Sequence, residues 1–189
     1  ISFRNEQQWQ SRSFGSQAAM IARSLLIIFA INSSVLANED KISLSLLNAE
    51  LKKNYAFTER SLNQSAMKID NSSGKIFFDE TGITINILTP FKENYRIEDG
   101  IIEIHDLYLD QKQSINIDQA NNFFLNLLIE GIDENNPTYR VNIVDDEIIE
   151  VISFEQNNLV SFLFFNNKLD LIRYTDSLGV EHGIELLPL

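Results

Sequence analysis

Reactive side chains at workable spacing are scarce in this chain. His105 and His182 are its two imidazoles, and no cysteine accompanies them. Each stands in a strand or turn context without a second nearby histidine, so neither fits a metal-ligand set or a nucleophile-base pair. The expectation for both is a surface or structural role. Asp145, Asp146, Glu147 and Glu150 form a carboxylate cluster. It lacks the Asp/Asn-Gly spacing of a calcium loop, so a solvated hairpin tip is expected. Glu98 and Asp99 could pose as an acid-base pair, but Asp99-Gly100 is already explained as a turn. No Gly-x-Ser-x-Gly and no glycine-rich phosphate loop occurs. The sequence therefore predicts no enzyme, no metal site and no cofactor.

Charge narrows the partners. The chain has 15 Lys and Arg against 27 Asp and Glu, a net charge of −12. Such a charge disfavours nucleic acid and anionic membrane surfaces, because both repel it. Zero cysteines mean that burial alone must supply stability.

Residues 20–37, "MIARSLLIIFAINSSVLA", are the most apolar stretch. Their unbroken apolar core, Leu25–Ile31, is too short to span a bilayer. Arg23, that core, and the small residues Val35 and Ala37 match a secretory signal peptide. A start at Met20 and a cut after Ala37 are expected, with residues 1–19 an upstream extension. The domain then runs over 38–189 as a single unit. Residues 1–37 hold three Arg and one Glu, so this remainder is more acidic still.

Within 38–189 no linker or internal repeat is visible. Asp40 can cap a helix with apolar positions Leu44, Leu47 and Leu51. Strands follow. "YAFTERSL" leads to a polar tip, and "MKIDNSSGKIFF" reads as a hairpin turning at 71–74. "GITINIL" puts Ile83, Ile85 and Ile87 on one face. "YRIEDGIIEIHD" is a hairpin about Asp99-Gly100, and "QSINI" is one more strand. "DQANNFFLNLLIEG" interrupts with Phe123, Phe124, Leu127 and Leu128 at helical spacing, Asp118 as a possible cap and Gly131 as a stop. "TYRVNIV", "EIIEVISF", "LVSFLFF", "KLDLIRYTD" and "VEHGIELL" complete the strands.

Short turns between consecutive strands argue for one strongly curved antiparallel sheet, mainly β with a few helices. "LVSFLFF" is apolar on both faces, so a cover for the second face is expected. A curved sheet with a helical lid over its concave side would leave an apolar space between them.

This order of elements resembles the periplasmic outer-membrane lipoprotein carrier family, LolA, over roughly residues 41–187. The resemblance rests on "YAFTE", "SSGKIFF", "TPFKENYRIEDGIIEIHDLYLDQKQSINI", "NNFFLNLLIEG" and "LIRYTDSLGVEHGIEL". It implies an unclosed half-barrel with a helical lid, a cavity for acyl chains and no catalysis. Implied partners are acylated lipoproteins as cargo, an inner-membrane lipoprotein-releasing ABC transporter and an outer-membrane receptor. Implied location is the periplasm of a Gram-negative bacterium, as a monomer not embedded in the membrane. The ligand-facing residues it suggests are Phe57, Phe78, Ile83, Ile85, Ile87, Ile102, Ile104, Phe162 and Phe164. Phe123, Leu127 and Leu128 would form the lid. A one-residue shift of register inverts such a choice of face.

Two departures from the family stand out. Asp79-Glu80-Thr81 occupies the place of its Arg-Pro, whose arginine helps hold the lid closed, and Glu59 replaces its glutamine. Arg60 or Arg96 is the candidate substitute latch. The departures leave room for a carrier of another amphiphile, such as a glycolipid, on the same fold. A periplasmic module binding proteins through sheet edges is the alternative of a different class.

Overall fold

A computed structural model describes residues 41–120, 122–155 and 158–189. Asp40–Leu189 form one compact unit. The upstream extension, the signal peptide and the Asp40 cap fall outside the described residues.

Among the described residues there are three short helices and eleven strands. The helices are α1 (Leu44–Glu50), α2 (Ile117–Ala120) and α3 (Phe123–Glu130). The strands are β1 (Tyr55–Asn63), β2 (Lys68–Phe78), β3 (Gly82–Thr89), β4 (Glu93–Glu98), β5 (Ile101–Asp106), β6 (Gln111–Asn116), β7 (Tyr139–Ile143), β8 (Ile148–Ser153), β9 (Leu159–Phe165), β10 (Lys168–Thr175) and β11 (Val180–Pro188). They form a single 11-stranded sheet in the order β6-β5-β4-β3-β2-β1-β11-β10-β9-β8-β7. Every described pairing is antiparallel. β6 and β7 are its two edges, so the sheet does not close into a barrel.

The β1–β2 turn falls earlier than the sequence predicts. β2 runs unbroken through 71–74, and the chain reverses at 64–67, where Met67 has φ 51°. Asn-Ser-Ser-Gly has turn composition, but its side chains serve the sheet. Ser72 donates to Glu59 across 2.8 Å, and Ser73 meets the Thr89 hydroxyl at 2.7 Å. Gly74 is needed because a Cβ there would lie 2.7 Å from the Phe57 ring and 2.3 Å from the Asn86 carbonyl oxygen. The Asp99-Gly100 turn is as expected, with φ of 50° and 74°.

Helix ends shift by a few residues. Ser43 caps α1, its hydroxyl accepting from the Leu46 N–H. Asn122, not Asp118, caps α3, accepting from the Leu125 N–H, and Gly131 ends it. Asp118 lies instead in the single turn of α2. An amide or hydroxyl one residue before the helix satisfies the same orphan N–H groups as a carboxylate.

Both longer helices pack on the sheet's inner face. Leu47, Leu51, Phe124, Leu127 and Leu128 join Ile149, Val151, Val160, Phe162, Leu169 and Ile172 in one buried cluster. A register shift between Leu169 and Leu171 lets both Leu169 and Ile172 face inward. Glu50 is buried at the end of α1. Lys53 pairs with it at 2.5 Å, and the Tyr55 hydroxyl donates to it at 2.8 Å. Burial alone would raise its pKa, but these partners and the Leu169 N–H hold it below its usual value. The expected cover for the outer side of β9 is absent among the described residues. Leu163 is half-buried there, while Leu159 and Phe165 are exposed.

Candidate functional site

Alternation puts one row of apolar side chains from each strand on the inner face. Helix cover divides that face in two. On β8 to β11 the rows are sealed: Ile149, Val151 and Phe162 are fully buried, and Val160, Leu169 and Ile172 nearly so. On β3 to β6 the rows begin buried at Ile83, Ile97 and Ile102 and become half-buried at Ile85, Ile87, Tyr95, Ile104 and Ile115. The second set is apolar surface only partly shielded from water.

At the buried end of those rows lies a cavity of about 590 Å³. Phe78, Ile83, Ile97, Ile117, Leu128 and Ile129 give it apolar walls, while Lys52, Glu80 and Asp99 stand at its polar rim. Beneath α1 and α3 one apolar gap holds only about 20 Å³, bounded by Leu51, Tyr55, Phe124, Leu169 and neighbours, and a second pocket of about 200 Å³ lies at the start of α3 beside Phe123, Val160, Tyr174 and Leu178. The space expected between lid and sheet is therefore filled by the helices' own side chains around Leu51, Phe124 and Leu128, and stays open at the two ends of α3.

The sequence-predicted ligand residues all belong to this inner face, though not to one cavity. Phe78, Ile83 and Leu128 line the larger cavity. Ile85, Ile87 and Ile104 occupy the half-open rows, with Ile102 buried at their base. Phe57 packs against Gly74. Phe162, Phe164 and Leu127 are deep in the sealed half, away from the open surface. Phe123 is half-buried in an edge-on contact with Tyr139, ring centroids 6.0 Å apart. Sequence patterning alone does not single out Tyr95, Ile97, Ile115, Ile117 and Ile129. The signal is present for three of them, since Tyr95-x-Ile97 and Ile115 continue the alternation across the sheet.

Neither proposed arginine latches the lid. Arg96 binds Asp79 at 2.6 Å and Glu98 at 3.0 Å, and it also donates to Thr81 and Thr84. It staples the β2–β3 turn to β4, and its guanidinium holds the Asp79 carboxyl well below the usual range. Arg60 is exposed and alternates with the inward-facing Glu59. Position along the strand, which sequence spacing does not reveal, sends both away from the helices.

What meets α3 instead is an aromatic ladder. Phe124 stacks on Tyr174 with ring centroids 4.7 Å apart, and Tyr174 stacks on His182 at 4.6 Å and an interplanar angle of 6°. His182 is set between two carboxylates, Nδ1 at 2.7 Å from Glu59 and Nε2 at 3.4 Å from Asp176. Burial works to lower the His182 pKa, but the hydrogen bonds to Glu59 and Asp176 carry it above its ordinary value. The bond to His182, opposed by burial and helped by Ser72, lowers Glu59. Burial tends to raise Asp176, but the Val180 N–H, His182 and the Leu178 N–H hold it down. Glu59 and His182 are 123 positions apart and meet through the β1–β11 pairing, so His182 is structural but not lone. His105 contacts Asp110 at 2.9 Å near the surface. Among the described residues no cluster of His, Asp and Glu could hold a metal ion, and no helix is long and apolar enough to cross a membrane.

The α3 layer has few polar ties. The Asn48 amide brackets Ile132, donating to its carbonyl at 2.7 Å and accepting its N–H at 2.8 Å. The Tyr139 hydroxyl accepts from the Asp133 N–H at 2.9 Å. Phe123 on Tyr139 and Phe124 on Tyr174 add aromatic contacts between this layer and the sheet.

No protein-family model and no curated protein matches the sequence. Solved structures similar to the chain include a LolA superfamily protein from Nitrosomonas europaea, at 11% identity and TM-score 0.44, covering 76% of this chain and 90% of that one. The lipoprotein LppX of Mycobacterium tuberculosis is similar at 8% identity and TM-score 0.36, covering 76% and 92%. A domain named for outer membrane lipoprotein sorting, from Vibrio parahaemolyticus, is similar at 10% identity and TM-score 0.39, covering 78% and 90%.

Proposed function

We propose that residues 38–189 form a periplasmic carrier that shelters the acyl chains of lipoproteins on their way from the inner to the outer membrane. The observation that carries this reading is the half-open apolar face of β3 to β6, which leads to the 590 Å³ cavity between the β2–β3 and β4–β5 turns and the C-terminal end of α3. Each CH₂ left in water costs about 0.8 kcal/mol, so an acylated protein needs such a shelter to cross an aqueous space. A carrier must also unload. Apolar walls without a deep charged anchor suit that, because they grip hydrocarbon without fixing one geometry.

In this reading α3 lifts as cargo enters, because Phe124, Leu127 and Leu128 fill the sheet surface beneath it. Lifting α3 exposes mainly apolar surface, which acyl chains would cover again, whereas α1 is tied to the sheet by the buried Glu50 through the Tyr55 hydroxyl and the Leu169 N–H. The order of elements shared with the LolA family supports the same reading. It brings with it a donor ABC transporter, an outer-membrane receptor and export by the segment 20–37. The site would comprise Phe78, Ile83, Ile85, Ile87, Ile102, Ile104 and Leu128, with Phe57, Phe123, Leu127, Phe162 and Phe164 exposed to cargo only after the lid moves.

The test is to express the full chain in a Gram-negative host, isolate it without detergent and identify bound material by mass spectrometry. A bound triacylated lipoprotein supports the proposal. A free lipid or glycolipid would instead favour a carrier of another amphiphile, a reading motivated by Asp79-Glu80-Thr81 in place of the family's Arg-Pro. Protein free of any lipid, with the open rows inaccessible to apolar dyes, would defeat both.

A further inference from the structure

The antiparallel order sends alternate hairpins to opposite ends of the sheet, and the two ends differ in chemistry. One end carries the β2–β3, β4–β5, β7–β8 and β9–β10 connections. These turn on Asp79-Glu80-Thr81, Asp99-Gly100, Asp145-Asp146-Glu147 and Asn166-Asn167. The other end carries the β1–β2, β3–β4, β5–β6, β8–β9 and β10–β11 connections. Each of these holds a large exposed apolar side chain: Met67 at 93% exposure, Phe91 at 70%, Tyr108 at 86%, Phe154 at 60% and Leu178 at 84%. Leu109 adds a second to the β5–β6 tip. At the first end Val144, at 49% exposure, is the large apolar residue exposed within a turn, while Phe165 and Leu187 lie on strand outer faces beside polar turns.

We infer that this row of apolar turn tips is a docking surface for a zwitterionic lipid bilayer. Strand spacing places successive tips roughly 10 Å apart along the sheet end, with polar residues between them. A protein partner would favour one contiguous apolar patch. Separate anchors of Phe, Tyr, Leu and Met suit a surface that yields to each, and such residues partition into the bilayer interface. The charges fit the same partner. Lys68 and Lys92 directly follow the Met67 and Phe91 tips, and Asp110, Glu155 and Asp176 lie at the same end. A headgroup with both phosphate and amine meets both signs. An anionic surface would meet a chain of net charge −12. The inference concerns membrane contact and stands whether or not the cargo is a lipoprotein.

The absence of cysteine allows a local test on the full chain. Single substitutions Met67→Cys, Phe91→Cys and Leu178→Cys, with Phe165→Cys and Leu187→Cys at the other end, are labelled with an environment-sensitive fluorophore. They are then mixed with phosphatidylcholine vesicles containing a quencher-bearing lipid. Quenching at the tips but not at Phe165 or Leu187 is expected. Quenching should weaken when anionic lipid is added at low salt and recover as salt is raised. In the Met67→Cys protein, combined Phe91→Ser, Tyr108→Ser and Leu178→Ser should lower the partition read by its label about tenfold. These side chains are exposed, so an unchanged thermal unfolding midpoint verifies that the fold persists. No quenching at the tips, equal quenching at both ends, or protection of the tips only by added protein would overturn the inference.

Discussion

The two flanks of the sheet are built by the same strand alternation and come to opposite ends. β8 to β11 place Ile149, Phe162, Leu169 and Ile172 under the helices, where water is excluded. β3 to β6 place Ile85, Ile87, Tyr95 and Ile104 beyond the helices, where the same apolar chemistry stays half-wet. The difference is one of cover. A protein with more helix could seal both flanks, and this one leaves a flank unsealed. One flank supplies the stability that the other forgoes, and the unsealed flank is free to receive another apolar body.

Substitutions can break or sharpen this contrast. Phe162→Ala should cost about 3–5 kcal/mol in urea unfolding, because the side chain is fully buried and the packed flank cannot collapse around the void. An equal cost for Ile85→Ala would erase the distinction between flanks; about 1 kcal/mol is expected there, with a larger loss in binding of an apolar dye. Leu127→Glu is a poor test of the lid alone, since Leu127 is 2% exposed and the charge would be buried unpaired. Ile129, exposed on α3 and bordering the cavity, is the better site for a charge.

Gly74→Ala probes the boundary between the flanks. Its Cβ must displace the Phe57 ring and crowd β3, so a loss of about 1–3 kcal/mol is expected in the same unfolding assay.

The His182 cluster gives a smaller effect with a definite sign. His182 is held above its ordinary value near 6.5, so its contribution is complete below that pH and fades as pH rises through the folded value. Glu59 is held below its ordinary value near 4.5, so its contribution is complete above that pH and is lost as pH falls through the folded value. The cluster is therefore tightest between these two ordinary values. His182→Gln should remove about 1 kcal/mol in that window and flatten the alkaline limb of a stability profile, as read by denaturation at a series of pH values. The smallest effect belongs to Arg60→Ala. An exposed side chain on the outer face should change stability by no more than about 0.5 kcal/mol and leave loading untouched; loss of loading would restore its claim as a latch.

The strands were legible because alternation is local. Ile83, Ile85 and Ile87 announce their shared face without reference to any neighbour. Positions decided by a neighbour were not legible. Asn71 to Gly74 read as a turn because the demands of Glu59, Thr89 and Phe57 on that stretch arise only after pairing. His182 read as solitary because Glu59 reaches it from the far end of the chain. The inner face could be named almost residue by residue. Which part of it the helices would seal could not, because α3 meets the sheet through Tyr139 and Tyr174, partners that no periodicity encodes. Likewise each apolar turn residue is visible singly, and only the strand order gathers them at one end.

The sheet's missing closure has a mechanical consequence. β6 and β7 are its two margins, and the chain between them is the stretch that carries α2 and α3. The segment that carries α2 and α3 thus runs from one margin to the other. Parting of the margins and lifting of α3 would both load this segment. No ladder hydrogen bond is broken in either motion, because none joins the two edges. The same stretch of backbone, residues 117–138, both covers part of the inner face and links its two edges.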